Sequence, residues 1–419
     1  MNLFSVSIPY KAMQQSNTQL PTKPPPLHQD KNLLIVFALS VMAVLGVSSV
    51  TPAFPKIIQT FNIPPARVGL LISLYTLPTL LFSPGLGILA DRLGRKQVAI
   101  PSLILAGIAG TACAFTDNFN QLLGWRFLQG MGVASLRVLP VAIIGDLYTG
   151  VKRTTAIGYQ ISVSSIATTL YPILGGALAV MSWSYPFLLN LSAFPVALLV
   201  WLALKNPEPN SQSNTATTFK AHSINALKRL RNAQFIGLFV VSMVDYMLLF
   251  GVHQTYLPLF IDQSFQASSF QIGLILASVP IAIVMTSLQT GRLAQRFSEI
   301  SLIQVALICH AVALCSISFI PYLWLLLIPS VLLGMGLGLS FPSIAALLSA
   351  QAPQGYLATI LSANDTFGGL GRTLGPLLMG TIFGLGGIDA VFYGGAGMAI
   401  VSLVFLRACP IVSIEDSKD

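Results

Sequence analysis

About twelve runs of roughly twenty apolar residues, set apart by short polar breaks, constrain this chain more than any other feature. A helix of that length crosses the hydrocarbon of a bilayer, and a strand of that length does not stay apolar on both faces. The runs begin near Leu33, Val68, Val98, Leu122, Thr155 and Tyr185, then near Phe235, Ile272, Leu302, Leu323, Leu357 and Ala390. Charged residues make up only 8% of the chain, against about 25% in a soluble protein. That is too few to cover a water-facing surface. The formal charge of +9 sits between the runs, so it reads as membrane topology rather than nucleic-acid affinity. The sequence therefore predicts an all-α membrane protein with twelve transmembrane helices.

With the N-terminus in the cytoplasm, Arg92, Arg95, Lys96, Lys152, Arg153, Arg292 and Arg296 all fall inside, as do the basic residues of both tails and the centre. The outside receives Lys56 and Arg67. This asymmetry predicts cytoplasmic termini. The expected organisation is a disordered tail over 1–30, a six-helix half over 31–204, a cytoplasmic loop over 205–234, a second six-helix half over 235–408 and a tail over 409–419. Cys113, Cys309, Cys315 and Cys409 lie in apolar segments without metal-ligand spacing, so no metal and no disulfide is expected.

An offset of 204 residues aligns the two halves. Gly69 meets Gly273, Gly87 meets Gly291, Gly130-Met131-Gly132 meets Gly334-Met335-Gly336, Pro172 meets Pro376 and Gly176 meets Gly380. Both copies start on the same side of the membrane, which makes this a parallel repeat. Repeats of this kind place a substrate site at their interface, near mid-membrane.

After span 2 the chain reads Gly87-Ile88-Leu89-Ala90-Asp91-Arg92-Leu93-Gly94-Arg95-Lys96. Its glycines suit a tight turn with close helices, and its charges suit ion pairs at the membrane surface. The segment resembles the signature loop of the major facilitator superfamily. The resemblance implies the major facilitator fold of two six-helix halves. It also implies a cytoplasmic gate built on Gly87, Asp91, Arg92, Gly94 and Arg95, with Arg95 facing Asp146 at the end of span 4. The second copy, Gly291 to Arg296, carries Gln295 in place of the acid, and is expected to be the weaker lock.

Span 4 holds Arg126-Phe127-Leu128-Gln129-Gly130, which resembles a motif of the proton-coupled members. An arginine inside a span needs a wet cavity or a partner. Arg126 is expected to polarise a cavity and tune a nearby carboxylate, with snorkelling to the outer face as the plainer alternative. Arg137 lies deeper and outside the motif, and packing and substrate roles both stay open for it. Span 5 carries Gly158, Pro172, Gly175 and Gly176 at the spacing of the antiporter motif of drug:proton exporters, with Ala167 and Tyr171 where that motif has glycines. Span 11 repeats it with Gly371, Gly375 and Pro376. Kinks and small residues of this kind allow helices to pack closely and rock.

Two acidic residues lie within spans. Asp245 sits near the middle of span 7. Asp365 sits in span 11 with Arg372 seven residues on, two turns away on the same face. Burial disfavours the charged form of a carboxyl, a property that a proton carrier uses. The expected proton-coupling residues are Asp245, Arg126, Asp365 and Arg372, with Asp245 foremost. Span 1 has no acid, which favours neutral, zwitterionic or anionic substrates over cationic ones. Tyr75, Gln129, Gln160, Met243, Tyr246, Gln254, Gln289 and Asn364 are the candidate cavity residues. His253 and His310 read as structural.

Together these features predict a proton-coupled secondary transporter that exports drugs or amphipathic metabolites by alternating access, driven by the proton gradient without a cofactor. An uptake carrier for an organic acid or sugar is the first alternative. A non-transporting receptor or assembly protein on the same fold is the second. The expected partners are a small-molecule substrate, protons and the lipid bilayer, with no nucleic acid. The expected form is a monomer in a bacterial cytoplasmic membrane. No nucleophile–base pair or phosphate-binding loop is present to suggest an enzyme.

Overall fold

A computed structural model describes residues 30–204, 233–352 and 356–408. The expected tails before residue 30 and after 408, nearly all of the central loop, and Cys409 lie outside the described residues.

The apolar runs form long helices. In chain order they are α1 (Lys31–Phe61), α2 (Pro65–Leu93), α3 (Arg95–Phe115), α4 (Phe119–Leu147), α5 (Gly150–Met181), α6 (Tyr185–Ala203), α7 (Phe235–Phe265), α8 (Ser269–Leu293), α9 (Glu299–Ile317) and α10 (Leu323–Gln351). The last helical stretch, Leu357–Ala408, runs for 52 residues. A straight helix of that length would extend about 78 Å, more than twice the hydrocarbon thickness. Gly387 breaks it at φ 75, a left-handed conformation that glycine adopts without strain. The stretch is therefore two spans, α11 (357–386) and α12 (388–408), and the crossings among the described residues number twelve.

Several helices are irregular where side chains of interest sit. α4 loses its helical pattern at Arg137 and Val138. α7 winds as a π-helix over Leu248–Tyr256, and the Thr255 hydroxyl donates to the Phe250 carbonyl five residues back at 2.7 Å. At the start of α1, Asp30 accepts from the Asn32 N–H at 2.9 Å and from the Tyr148 hydroxyl at 2.6 Å. Burial and this carboxylate push the Tyr148 phenol up from its ordinary value.

The halves meet along α2 against α11 and α5 against α8. A Cβ on Gly69 would stand 2.7 Å from the Pro376 carbonyl oxygen, and one on Gly273 would strike the Pro172 carbonyl. Gly176 is similarly pressed on Ser269, and Gly380 on Ala66. These contacts belong to the end of the bundle opposite the chain termini, called here the far end. Hydrogen bonds also cross there: Ser73 to the Thr373 carbonyl at 2.7 Å and Tyr256 to the Ala66 carbonyl at 3.3 Å. Toward the end that carries residue 30, the tail end, the halves part. Gly158 and Gly291 have open space where a Cβ would be, and Leu93 and Leu288 are exposed. The bundle is closed at the far end and open at the tail end.

Candidate functional site

Between the halves lies a chamber of about 390 Å³. Its wall combines apolar side chains with hydroxyls and amides, including Ser48 from α1, Thr76 and Thr79 from α2, and Phe250 from α7. Of the expected cavity residues, Tyr75, Gln160, Tyr246 and Gln254 line it. The other four stand elsewhere. Gln129 is fully buried within the N-terminal half. Met243 sits against α11, its carbonyl beneath Gly371. Gln289 is exposed toward the tail end and turns back on the Met285 carbonyl at 3.4 Å. Asn364 is half-buried away from the chamber, its amide oxygen unpartnered.

Two arginines, one from each half, enter the chamber. Arg372 binds Asp365 at 2.9 Å and lies 4.5 Å from the centre of the Tyr246 ring. The two-turn spacing of Asp365 and Arg372 thus becomes an intrahelical ion pair. Arg137 lines the chamber from the break in α4. Among the described residues it has neither a hydrogen-bond nor an ion-pair partner.

Arg126 differs from both expectations made for it. It neither snorkels nor faces the chamber; it is fully buried. Its guanidinium donates to the Leu71 carbonyl at 3.0 Å, the Gly46 carbonyl at 2.7 Å and Gln129 Oε1 at 2.9 Å. The Tyr75 ring lies 4.7 Å away. Gln129 in turn donates to Asn190 on α6 at 2.8 Å. This network ties α1, α2, α4 and α6 together, and no carboxylate joins it among the described residues. Sequence reasoning missed Asn190, which carries no motif signal.

Asp245 is fully buried in the C-terminal half. The Ser340 hydroxyl of α10 donates to its Oδ2 at 2.5 Å, and His310 Nδ1 of α9 stands 3.5 Å from Oδ1. His310, which reads as structural in the sequence, faces inward because Gly336 leaves room for its ring, with Nε2 only 2.6 Å from where a Cβ would be. The repeat carried that information. At the same offset Gly132 is pressed on Ala106, the counterpart of His310. Asp245 does not line the chamber: Tyr246, Leu249 and Phe250 of the same helix do, while Asp245 meets α9 and α10. His253 is also buried, with both ring nitrogens unpartnered.

At the tail end, Arg95 binds Asp146 at 2.8 Å and also pairs with Asp91 one turn away. All three belong to the N-terminal half, so this cluster does not bridge the halves in the tail-open state. Gly94, at φ 103, makes the turn into α3. Gly87 has only the Val138 methyl, 4.0 Å from a Cβ position, and so makes no close helix approach. Arg92 is exposed.

The packing motifs divide in the same way. Gly175 is pressed on the Ser49 carbonyl, Gly371 on Met243 and Gly375 on Met247. Pro172 and Pro376 offer their carbonyls to Gly273 and Gly69. Gly158 packs on nothing within 4 Å, because it lies where α5 and α8 have separated.

A family model described as Major Facilitator Superfamily matches residues 36–263 and 235–417. The bacillibactin exporter of Bacillus subtilis (strain 168) is 25% identical over 83% of this chain and 88% of its own length. Multidrug resistance protein 2 of the same organism is 24% identical over 86% and 90%. Quinolone resistance protein NorA of Staphylococcus aureus is 23% identical over 90% and 96%. Among solved structures, the nucleoside transporter NupG superposes with a TM-score of 0.77 at 15% identity, covering 90% of this chain and 98% of that one. A bacterial homologue of the human lysosomal transporter Spinster, inward-facing and occupied, superposes at 0.74 with 18% identity over 90% and 94%.

Proposed function

The chain belongs to the Major Facilitator Superfamily, and from that premise we propose that it is a proton-coupled secondary transporter that exports drugs or amphipathic small metabolites. It is a multi-pass membrane protein and a transporter rather than an enzyme. The names of its relatives, an exporter and two drug-resistance proteins, support the export direction. The chamber between two repeat-related halves supports alternating access: the halves rock on the glycine–carbonyl contacts, and the chamber opens to each side in turn.

The energy source is the proton gradient, with no cofactor. The observation that carries this reading is the buried carboxyl of Asp245, hydrogen-bonded by Ser340 and faced by His310 at 3.5 Å, from two other helices. An ionisable group at that depth is costly and marks function. Its separation from the chamber lets the proton sit within the C-terminal half while the substrate sits between the halves. Arg372 serves as a charged group on the chamber wall, held in place by its ion pair with Asp365. Arg126 acts by holding the N-terminal half together. The tail end, with both termini, faces the cytoplasm of a bacterial cell, and the Asp91–Arg95–Asp146 cluster is the cytoplasmic gate. The carrier works as a monomer and binds no nucleic acid.

The test uses everted membrane vesicles with a respiratory pH gradient and a panel that includes quinolones and tetracyclines. A transported member dissipates the gradient in the native protein and leaves it intact in Asp245→Asn. Undiminished proton flux in that variant removes Asp245 from the proposal. Silence across the panel, together with uptake of a nutrient in whole cells, replaces export with import.

A further inference from the structure

Arg137 has no hydrogen-bond or ion-pair partner among the described residues, and the acid whose field reaches it, Asp365, is already bound to Arg372. Guanidinium does not deprotonate in proteins, and a charge that faces an apolar-walled chamber at bilayer depth is costly until it is paired. Only two of the chamber's lining residues are charged, Arg137 and Arg372. Asp365 holds Arg372 at 2.9 Å. Asp245 is engaged with Ser340 on the far side of α7. Arg137 also lines a smaller recess of about 160 Å³, beside Ser40, Gln160 and Ser164. The Gln160 amide already donates to Ser40 at 3.1 Å and to Ser164 at 3.2 Å. The recess is thus an organised polar corner that presents one five-donor cation without a protein partner among the described residues.

A second extension of the chamber, across the next stripe of α5, is unlike it. There a fissure of about 630 Å³ runs between α5 and α8, walled by Ile166, Leu170, Ile281, Met285 and Leu288. It shares Ile161, Ser165, Ile283 and Val284 with the chamber, so the two spaces are continuous. The fissure exists because α5 and α8 touch at Pro172–Gly273 and then diverge toward the tail end. Its rim looks onto the bilayer: Leu288 is 79% exposed and Met285 61%. From Ile161 to Leu170 the helix advances about 14 Å, within reach of a medium-length alkyl chain.

A cation at one end and an apolar trough at the other define the ligand by complementarity. We propose that the chamber binds a single-chain amphipathic anion, with its acidic headgroup on Arg137 and its apolar chain in the α5–α8 fissure. The fissure also gives that ligand a lateral way in from the bilayer. This reading names the substrate class of the exporter and depends on the export reading only for the direction of movement.

The test is equilibrium dialysis of radiolabelled laurate against the full-length protein in nanodiscs of zwitterionic phosphatidylcholine. No pH gradient is present, so the result stands apart from the vesicle experiment. Laurate is expected to bind saturably. Affinity should rise about three- to fourfold per methylene from butyrate to laurate, the increment expected for burying each group. Arg137→Gln should weaken laurate at least about tenfold, as the loss of a charge-assisted pair does, and Arg137→Lys should restore part of it. Thr169→Trp, which fills the fissure alone, should flatten the chain-length series.

Melting curves like the native one establish that each variant is folded. Three results would overturn the proposal. Dodecyltrimethylammonium binding as well as laurate would show that the site does not select an anion. Laurate binding unchanged in Arg137→Gln would leave the fissure as a seat for bilayer lipid only. A flat series in the native protein would remove the fissure from the site.

Discussion

Gly69 presses on the carbonyl of Pro376, and the repeat exchanges the roles. Gly273, the counterpart of Gly69, presses on the carbonyl of Pro172, the counterpart of Pro376. Each half thus supplies one glycine and one proline to a pair of equivalent contacts. Their backbones approach as closely as small residues permit.

That crossed pair predicts the effect of bulk at either glycine. Gly273→Val places methyl groups against the Pro172 backbone, which has no flexible end to move. Transport should fall at least about tenfold, because the far end can no longer seal. A cysteine introduced at Ala66, beside the same seal, should become several times more reactive to a membrane-impermeant maleimide. Native labelling with native transport would show that the contact is not a seal.

Arg126 should behave as a structural residue despite its motif. Lysine cannot reach the Leu71 and Gly46 carbonyls and Gln129 together, since it lacks the planar fork. Losing two hydrogen bonds to a charge costs about 3 kcal/mol or more. Arg126→Lys should therefore lower the melting temperature by several degrees, and Gln129→Ala by less. An Arg126→Lys protein with native stability and lost transport would return Arg126 to the proton path.

His310 should matter to coupling and not to binding. Its Nδ1 is 3.5 Å from Asp245, and α7 stands between it and the chamber. His310→Gln keeps a polar group of similar size. Substrate affinity should stay within about twofold, while substrate-driven dissipation of a pH gradient falls. Dissipation equal to the native rate would leave His310 as packing only.

Asp146→Ala isolates the tail-end cluster. Arg95 is mostly shielded, but Asp146 is about one-third exposed, and such pairs contribute about 0–1 kcal/mol. Thermal stability should hardly change. Transport should drop several-fold if the cluster latches the closed state, as the proposed gate requires. Unchanged transport would make it a topological charge cluster.

The sequence made the helices and their repeat legible because length and duplication are physical constraints that leave marks. About twenty apolar residues per crossing set the spans, and the 204-residue offset matched residues of one half to their counterparts in the other, but which glycine meets which carbonyl came only from the structure. The facing of polar side chains was not legible. In a soluble helix the wet face is polar, but here the lipid face and the packed face are both apolar. Nothing in α4 distinguishes Gln129, locked to Arg126 and Asn190, from a chamber residue such as Gln160. Arg137 was harder still: Pro140 leaves the Leu136 carbonyl without its helical donor and marks the break in α4, but a proline does not say which side chain the break turns into the chamber. His310 reads as structural, and only the room at Gly336 shows its ring turned toward Asp245.

Arg137 also has an electrical consequence. In a carrier that rocks about a fixed site, the charge stays near the middle of the bilayer while its aqueous access changes sides. The transmembrane field therefore moves across the charge. One elementary charge in 100 mV is worth about 2.3 kcal/mol. In the proposed orientation, a cell with a negative interior would favour the empty carrier with its positive chamber open to the cytoplasm, the state in which the bundle stands. An anion on Arg137 would cancel that bias, so the voltage would hold the unloaded carrier in place to receive its ligand and release its grip once the ligand is aboard.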